Sequence, residues 1–108
     1  MIRFDDMNEE IIPHFRGGEG NFSVRMLFDG QNRIMKGRLV SGASIGGHTH
    51  ESSSEIIYIL SGTATFTLDG KEETLAAGDC HYCKKGSTHT LVNKHEDDLV
   101  FFAVVPEQ

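Results

Sequence analysis

From Asn21 onward the chain is a succession of short β-prone runs, each closed by turn-forming residues: Phe22–Phe28, Arg33–Val40, Glu55–Leu60, Thr63–Leu68, Glu73–Leu75, Cys80–Cys83, Thr88–Val92 and Leu99–Val105. Strands this short and numerous bury their apolar faces and satisfy their edges by pairing into a closed barrel or a double sheet. The turns support antiparallel pairing. Asp69-Gly70 suits a tight hairpin whose two central residues need positive φ, and Asp29-Gly30-Gln31-Asn32 reads as a longer hairpin connection. Twelve glycines, about 11% against a usual ~7%, agree with many tight turns. The expected class is all-β, a sandwich or barrel.

With 108 residues, no internal repeat and no Pro-rich linker, residues 1–108 read as a single domain. Residues 1–20 form an N-terminal arm in which Asp5–Phe15 is the one helical candidate, a single short turn, and Gly17-Gly18-Glu19-Gly20 is loop. A formal charge of −6 repels phosphate backbones and anionic lipid, so neither nucleic acid nor a membrane is an expected partner. The acidic start lacks a signal-peptide apolar region, and no run approaches the ~20 apolar residues of a membrane-spanning helix, so the cytoplasm is the default location. Cys80 and Cys83 are too few for a disulfide framework and would stay reduced there. Their spacing occurs in zinc and redox sites. On a strand, however, residues three apart face opposite ways, so one thiol packs inward as a small hydrophobe and the other outward.

The chemistry concentrates in Gly42–Gly62. His48 and His50 are two apart, so on an extended strand both imidazoles share a face. Glu55 opens the next strand and shares a face with Ile57 and Ile59. A buried lone carboxylate costs several kcal/mol, a cost that a cation removes. His89, at the start of a later strand, supplies a third imidazole. His48, His50, Glu55 and His89 are therefore the candidate ligands of one divalent ion per chain, and this donor set suits Fe, Mn, Ni, Co, Cu or Zn.

These residues also carry a resemblance. Gly42, His48, His50, Glu55 and Gly62 match every fixed position of the first motif of the cupin superfamily, and Gly78, Gly86, His89 and Asn93 match the second. The second motif departs at Lys84, where the family has Pro; the change touches a turn residue and leaves the ligand set intact. The fifteen residues between Gly62 and Gly78 are typical of compact single-domain members. The likeness covers roughly residues 34–104. It implies a jelly-roll barrel, commonly a homodimer, with a metal ion held in its open mouth by His48, His50, Glu55 and His89. Because cupins include oxygenases, isomerases, lyases and ligand sensors, the resemblance specifies fold and site better than activity.

Two functions follow. The first is a metal-dependent enzyme acting on a small oxygenated metabolite, an oxygenase or an isomerase or lyase, with Tyr82 or His81 transferring a proton if either faces inward. The second is a non-catalytic module that binds or senses an anionic or polyhydroxylated small molecule. A metal-free structural barrel is the remaining alternative. Met35, Arg38 and Ile57 are candidate ligand contacts. Arg38 either clamps an anion from within the barrel or, with Ile34, Lys36 and Val40, lies on a solvated face.

Overall fold

A computed structural model describes residues 1–108. Ten strands are present: β1 (Glu10–Pro13), β2 (Asn21–Phe28), β3 (Asn32–Leu39), β4 (Ser44–Thr49), β5 (Glu55–Ser61), β6 (Thr63–Leu68), β7 (Lys71–Ala76), β8 (Cys80–Cys83), β9 (Thr88–Val92) and β10 (Leu99–Pro106). They form a six-stranded sheet, ordered β1-β2-β3-β10-β5-β8, and a four-stranded sheet, ordered β4-β9-β6-β7, with every pairing antiparallel. The two sheets enclose one core in a jelly-roll barrel. No helix is long and apolar enough to cross a membrane.

Period-two alternation explains the core. In β10, Leu99, Phe101 and Ala103 are buried while Val100, Phe102 and Val104 lie on the outer face; in β3, Met35 and Leu39 point inward. Phe66 of β6 and Ile59 of β5 complete the fully buried centre. The Asp69-Gly70 turn has positive φ at both residues (48° and 84°), as its hairpin requires. Asn93, fully buried, donates from its amide to the carbonyl oxygens of Leu39 and Asp97 (2.9 and 2.8 Å) and accepts from the His95 N–H (3.0 Å). Its place in the second motif is thus structural: it ties the end of β3 to the turn before β10.

Two expectations need correction. The Asp5–Phe15 segment, expected to hold one short helical turn, is helical only at its ends, with a strand between them. Short 3-10 turns at Phe4–Asp6 and Phe15–Gly17 flank β1, which pairs along β2 from Glu10↔Val24 to Pro13↔Asn21. The second correction is β4, which no β-prone run announces because Gly46 and Gly47 interrupt it. Those glycines lie at a register shift between Ile45 and His48 in the pairing with β9. The shift lets Ile45 and His48, three apart, both face the interior. Gly46 has a second task. A Cβ there would collide with the Arg16 carbonyl, and one at Gly18 would collide with the Ser44 carbonyl, so these glycines let the arm lie directly on β4.

Candidate metal centre

The four candidate ligands come together between the two sheets. His48 and His89 are register partners on β4 and β9, His50 follows the end of β4, and Glu55 reaches across from the start of β5. The Nε2 atoms of His50 and His89 are 3.0 Å apart, and those of His48 and His89 are 3.1 Å apart. Glu55 Oε1 lies 3.3 Å from His50 Nε2 and 3.1 Å from His89 Nε2, and all four donor atoms fall within 4.8 Å of one another. Ligands at right angles around an ion with bonds of about 2.1 Å stand about 3.0 Å apart, and tetrahedral ones about 3.4 Å. The four short spacings, 3.0–3.3 Å, lie between these two values.

Hydrogen bonding behind the ligands decides which nitrogen faces the centre. His48 Nδ1 lies 2.9 Å from the Gly46 carbonyl oxygen, which can only accept, so Nδ1 carries the proton and Nε2 a lone pair. His89 Nδ1 lies 3.0 Å from His81 Nε2, and His81 Nδ1 bonds the Glu73 carboxylate. A carboxylate accepts, so the His81 proton is on Nδ1, His81 Nε2 accepts from His89 Nδ1–H, and His89 Nε2 also presents a lone pair. Two lone pairs 3.1 Å apart repel unless a cation lies between them. His50 Nδ1 is 2.9 Å from the Ser53 hydroxyl, which can act either way. The donor set and its supporting bonds fit a divalent ion, and such second-layer bonds are how metal-binding imidazoles are oriented.

The electrostatics agree. Burial pushes Glu55 upward, but in metal-free protein the His50 and His89 rings, when protonated, outweigh that effect through their hydrogen bonds and charge and hold the carboxyl at about 2. It is ionised at neutral pH. Burial lowers the pKa of His48, which keeps its imidazole neutral and available as a ligand, and lowers that of His81 too.

Above this set lies a cavity of about 480 Å³ lined by His48, His50 and Glu55. Its buried apolar walls are Phe22, Val24, Met35, Ile45 and Phe101, buried Ser53 lies beside the ligands, and the arm contributes half-buried Ile12 and Phe15. Exposed Arg16, Arg33, Glu51 and Glu107 also line it. Neither arginine is ion-paired; each lies by a neighbouring ring, Arg16 at 5.6 Å from the Phe15 centroid and Arg33 at 4.4 Å from that of Phe28.

The remaining site expectations divide. Met35 lines the cavity, but Ile57 packs in the core away from it. Arg38 is corrected: it lies on the outer face, paired with Glu9 (3.0 Å) and Asp98 (3.7 Å), because the inward positions of β3 belong to Met35, Gly37 and Leu39. Tyr82 is also corrected. It is 56% exposed on the outer face of β8, so it cannot hand a proton into the barrel. On that strand His81 and Cys83 face inward, yet both ring nitrogens of His81 are engaged and it does not line the cavity. His81 instead stands behind His89, its Nε2 against His89 Nδ1. Cys83 is buried, which pushes its thiol up to about 11, and Cys80 is exposed on the other face, so the two do not share an ion. Sequence reasoning missed Glu73, which shares the inward face of β7 with buried Leu75; that alternation was the available signal. It also missed Ser53 and the arm residues, which only the tertiary fold brings to the site.

Comparison with known proteins accords with this geometry. Residues 35–105 match the family described as Cupin domain. The chain is 33% identical to an oxalate-binding protein of Thermotoga maritima over 97% of its own length and 92% of the relative's. It superposes with a TM-score of 0.93 on the crystal structure of a predicted oxalate decarboxylase from the same organism, at 32% identity, covering 100% of this chain and 99% of that one. An RmlC-like cupin from Shewanella frigidimarina shares the fold, with a TM-score of 0.82 at 18% identity over 100% and 90% of the two chains. With both motifs, the jelly-roll barrel and the four clustered donors in place, this chain belongs to the cupin family.

Proposed function

We propose that the chain captures a small carboxylate anion through one divalent ion held by His48, His50, Glu55 and His89. The observation that carries this reading is the donor set at the cavity: three imidazoles and one carboxylate, open to solvent on the cavity side. A single protein negative charge on a divalent ion leaves about +1 net with open coordination positions, which favours an anionic, bidentate oxygen ligand. A relative named as an oxalate-binding protein supports the same class of ligand.

Capture is favoured over turnover. The two side chains suggested for proton transfer do not reach the cavity, Tyr82 because it is outside and His81 because it stands behind His89. The outer face of β5 and β8 exposes Ile56, Tyr58, Leu60 and Tyr82, an apolar surface that supports pairing with a second copy of the chain. The test is calorimetry with oxalate, titrated into chelator-stripped protein and into protein loaded in turn with Mn, Fe, Co, Ni, Cu or Zn. Saturable binding to a loaded form and none to the stripped form is expected. Equal binding to stripped protein, or no binding with any ion, would overturn the proposal. Release of carbon dioxide or formate would show turnover instead of capture.

A further inference from the structure

The cavity is poorly matched to oxalate alone. Oxalate is two carboxylates joined by one bond and has no apolar atoms to bury. Here, by contrast, the space of about 480 Å³ falls in the range that holds drug-sized ligands. Beside the ligands and buried Ser53, its buried walls are Phe22, Val24, Met35, Ile45 and Phe101, none of which offers a polar partner. With oxalate on the ion, this apolar surface would remain against water. We infer that the ligand of this cavity is a carboxylate that chelates through a neighbouring oxo or hydroxyl oxygen and carries a branched or aromatic apolar side chain.

The inference rests on the metal-dependent capture proposed above and adds the chemistry of the rest of the ligand. Apart from Ile45 on β4, the apolar walls come from elements other than those that carry the ligands. His48 and His50 come from β4 and its end, and Glu55 from the start of β5; the apolar walls come chiefly from β2, β3 and β10. A chelating head and an apolar body would therefore meet separate surfaces. Exposure rises along β2, from buried Phe22 and Val24 to Met26 at 36% and Phe28 at 52%, so the apolar wall opens toward the β2–β3 hairpin. Ile12 and Phe15 of the arm, held on β4 through Gly18 and Gly46, add further apolar contact from the N-terminal side.

The experiment is a ligand series on the wild-type, metal-loaded protein: oxalate, glyoxylate, pyruvate, 4-methyl-2-oxopentanoate and phenylpyruvate. The four oxo acids share one chelating head and differ in the apolar body. Burial of apolar surface predicts about a fourfold gain in affinity per buried methylene, so the two largest ligands should bind far more tightly than glyoxylate. Their binding should also show a more negative heat-capacity change, the marker of apolar burial. Oxalate and glyoxylate binding as well as phenylpyruvate, with no dependence on side chain, would overturn the inference and leave metal-dependent capture standing. No binding of any member, oxalate included, to any metal-loaded form would overturn both.

Discussion

Replacing His81 by Phe separates packing from proton placement. His81 is 1% exposed, stacked on Phe66 with ring centroids 3.8 Å apart, so a phenyl ring keeps the aromatic stack. What it removes is the acceptor for His89 Nδ1–H. That donor is buried, and leaving it unsatisfied costs about 1–3 kcal/mol. A shift of the proton to Nε2 would relieve the cost but take away the lone pair that faces the ion. Either way the bound form loses, and the 10–100-fold fall in metal affinity usual for losing such a support corresponds to about 1.4–2.7 kcal/mol, the same range. His81→Gln should restore much of the affinity, because its amide oxygen can accept from His89. The assay is competition with a chromophoric chelator for Zn or Co, with nitrogen chemical shifts reporting the His89 tautomer in metal-free protein and circular dichroism the fold. A folded His81→Phe protein with wild-type affinity and His89 still protonated at Nδ1 would refute the reasoning.

Three other outcomes follow from the same geometry. Glu55→Gln removes the one negative ligand and should weaken ion binding about a hundredfold or more in the same competition assay, since breaking a buried charge pair costs about 3–5 kcal/mol; an unchanged affinity would count against Glu55 as a ligand. In metal-free protein, burial holds His48 and His81 neutral below the ordinary 6.5, so the unfolded chain takes up these protons first and stability should fall as pH drops below about 6.5. Glu55, held at about 2 against an ordinary 4.5, contributes stability that is full above 4.5 and lost as pH falls toward 2; melting temperatures that rose on acidification would reverse both signs. Gly46→Ala drives a Cβ into the Arg16 carbonyl, backbone against backbone, and should cost about 1–3 kcal/mol and expose the arm to hydrogen exchange, whereas unchanged melting with a protected arm would show room that the structure lacks.

The fold and the donor set were legible where alternation and turn chemistry act locally. Glu55 beside Ile57 and Ile59, His48 two before His50, and the Asp69-Gly70 hairpin each follow from period two or from φ alone. Strand β4 was hidden because its glycines have low β propensity, and only pairing with β9 around the register shift makes it a strand. Strand β1 was hidden because it contains Pro13, which is tolerated there since β1 is the sheet edge. The faces of β8 were undecidable, since either alternation carries one thiol and one ring; the reach of His81 to His89 on the other sheet distinguishes them. Alternation with buried Leu75 puts Glu73 rather than Glu72 on the inward face of β7, but does not say what it meets there. Its partner lies on another strand, so its part in the site is a property of the closed barrel.

Metal content tests the central claim most directly. Protein purified without a metal-affinity tag, exposed to each divalent ion, desalted and analysed by plasma mass spectrometry, should retain about one ion per chain, and His89→Ala should retain far less. Folded wild-type protein that retains no ion under any of these conditions, or a His89→Ala variant that retains as much as wild type, would contradict the assignment of His48, His50, Glu55 and His89 as one metal centre.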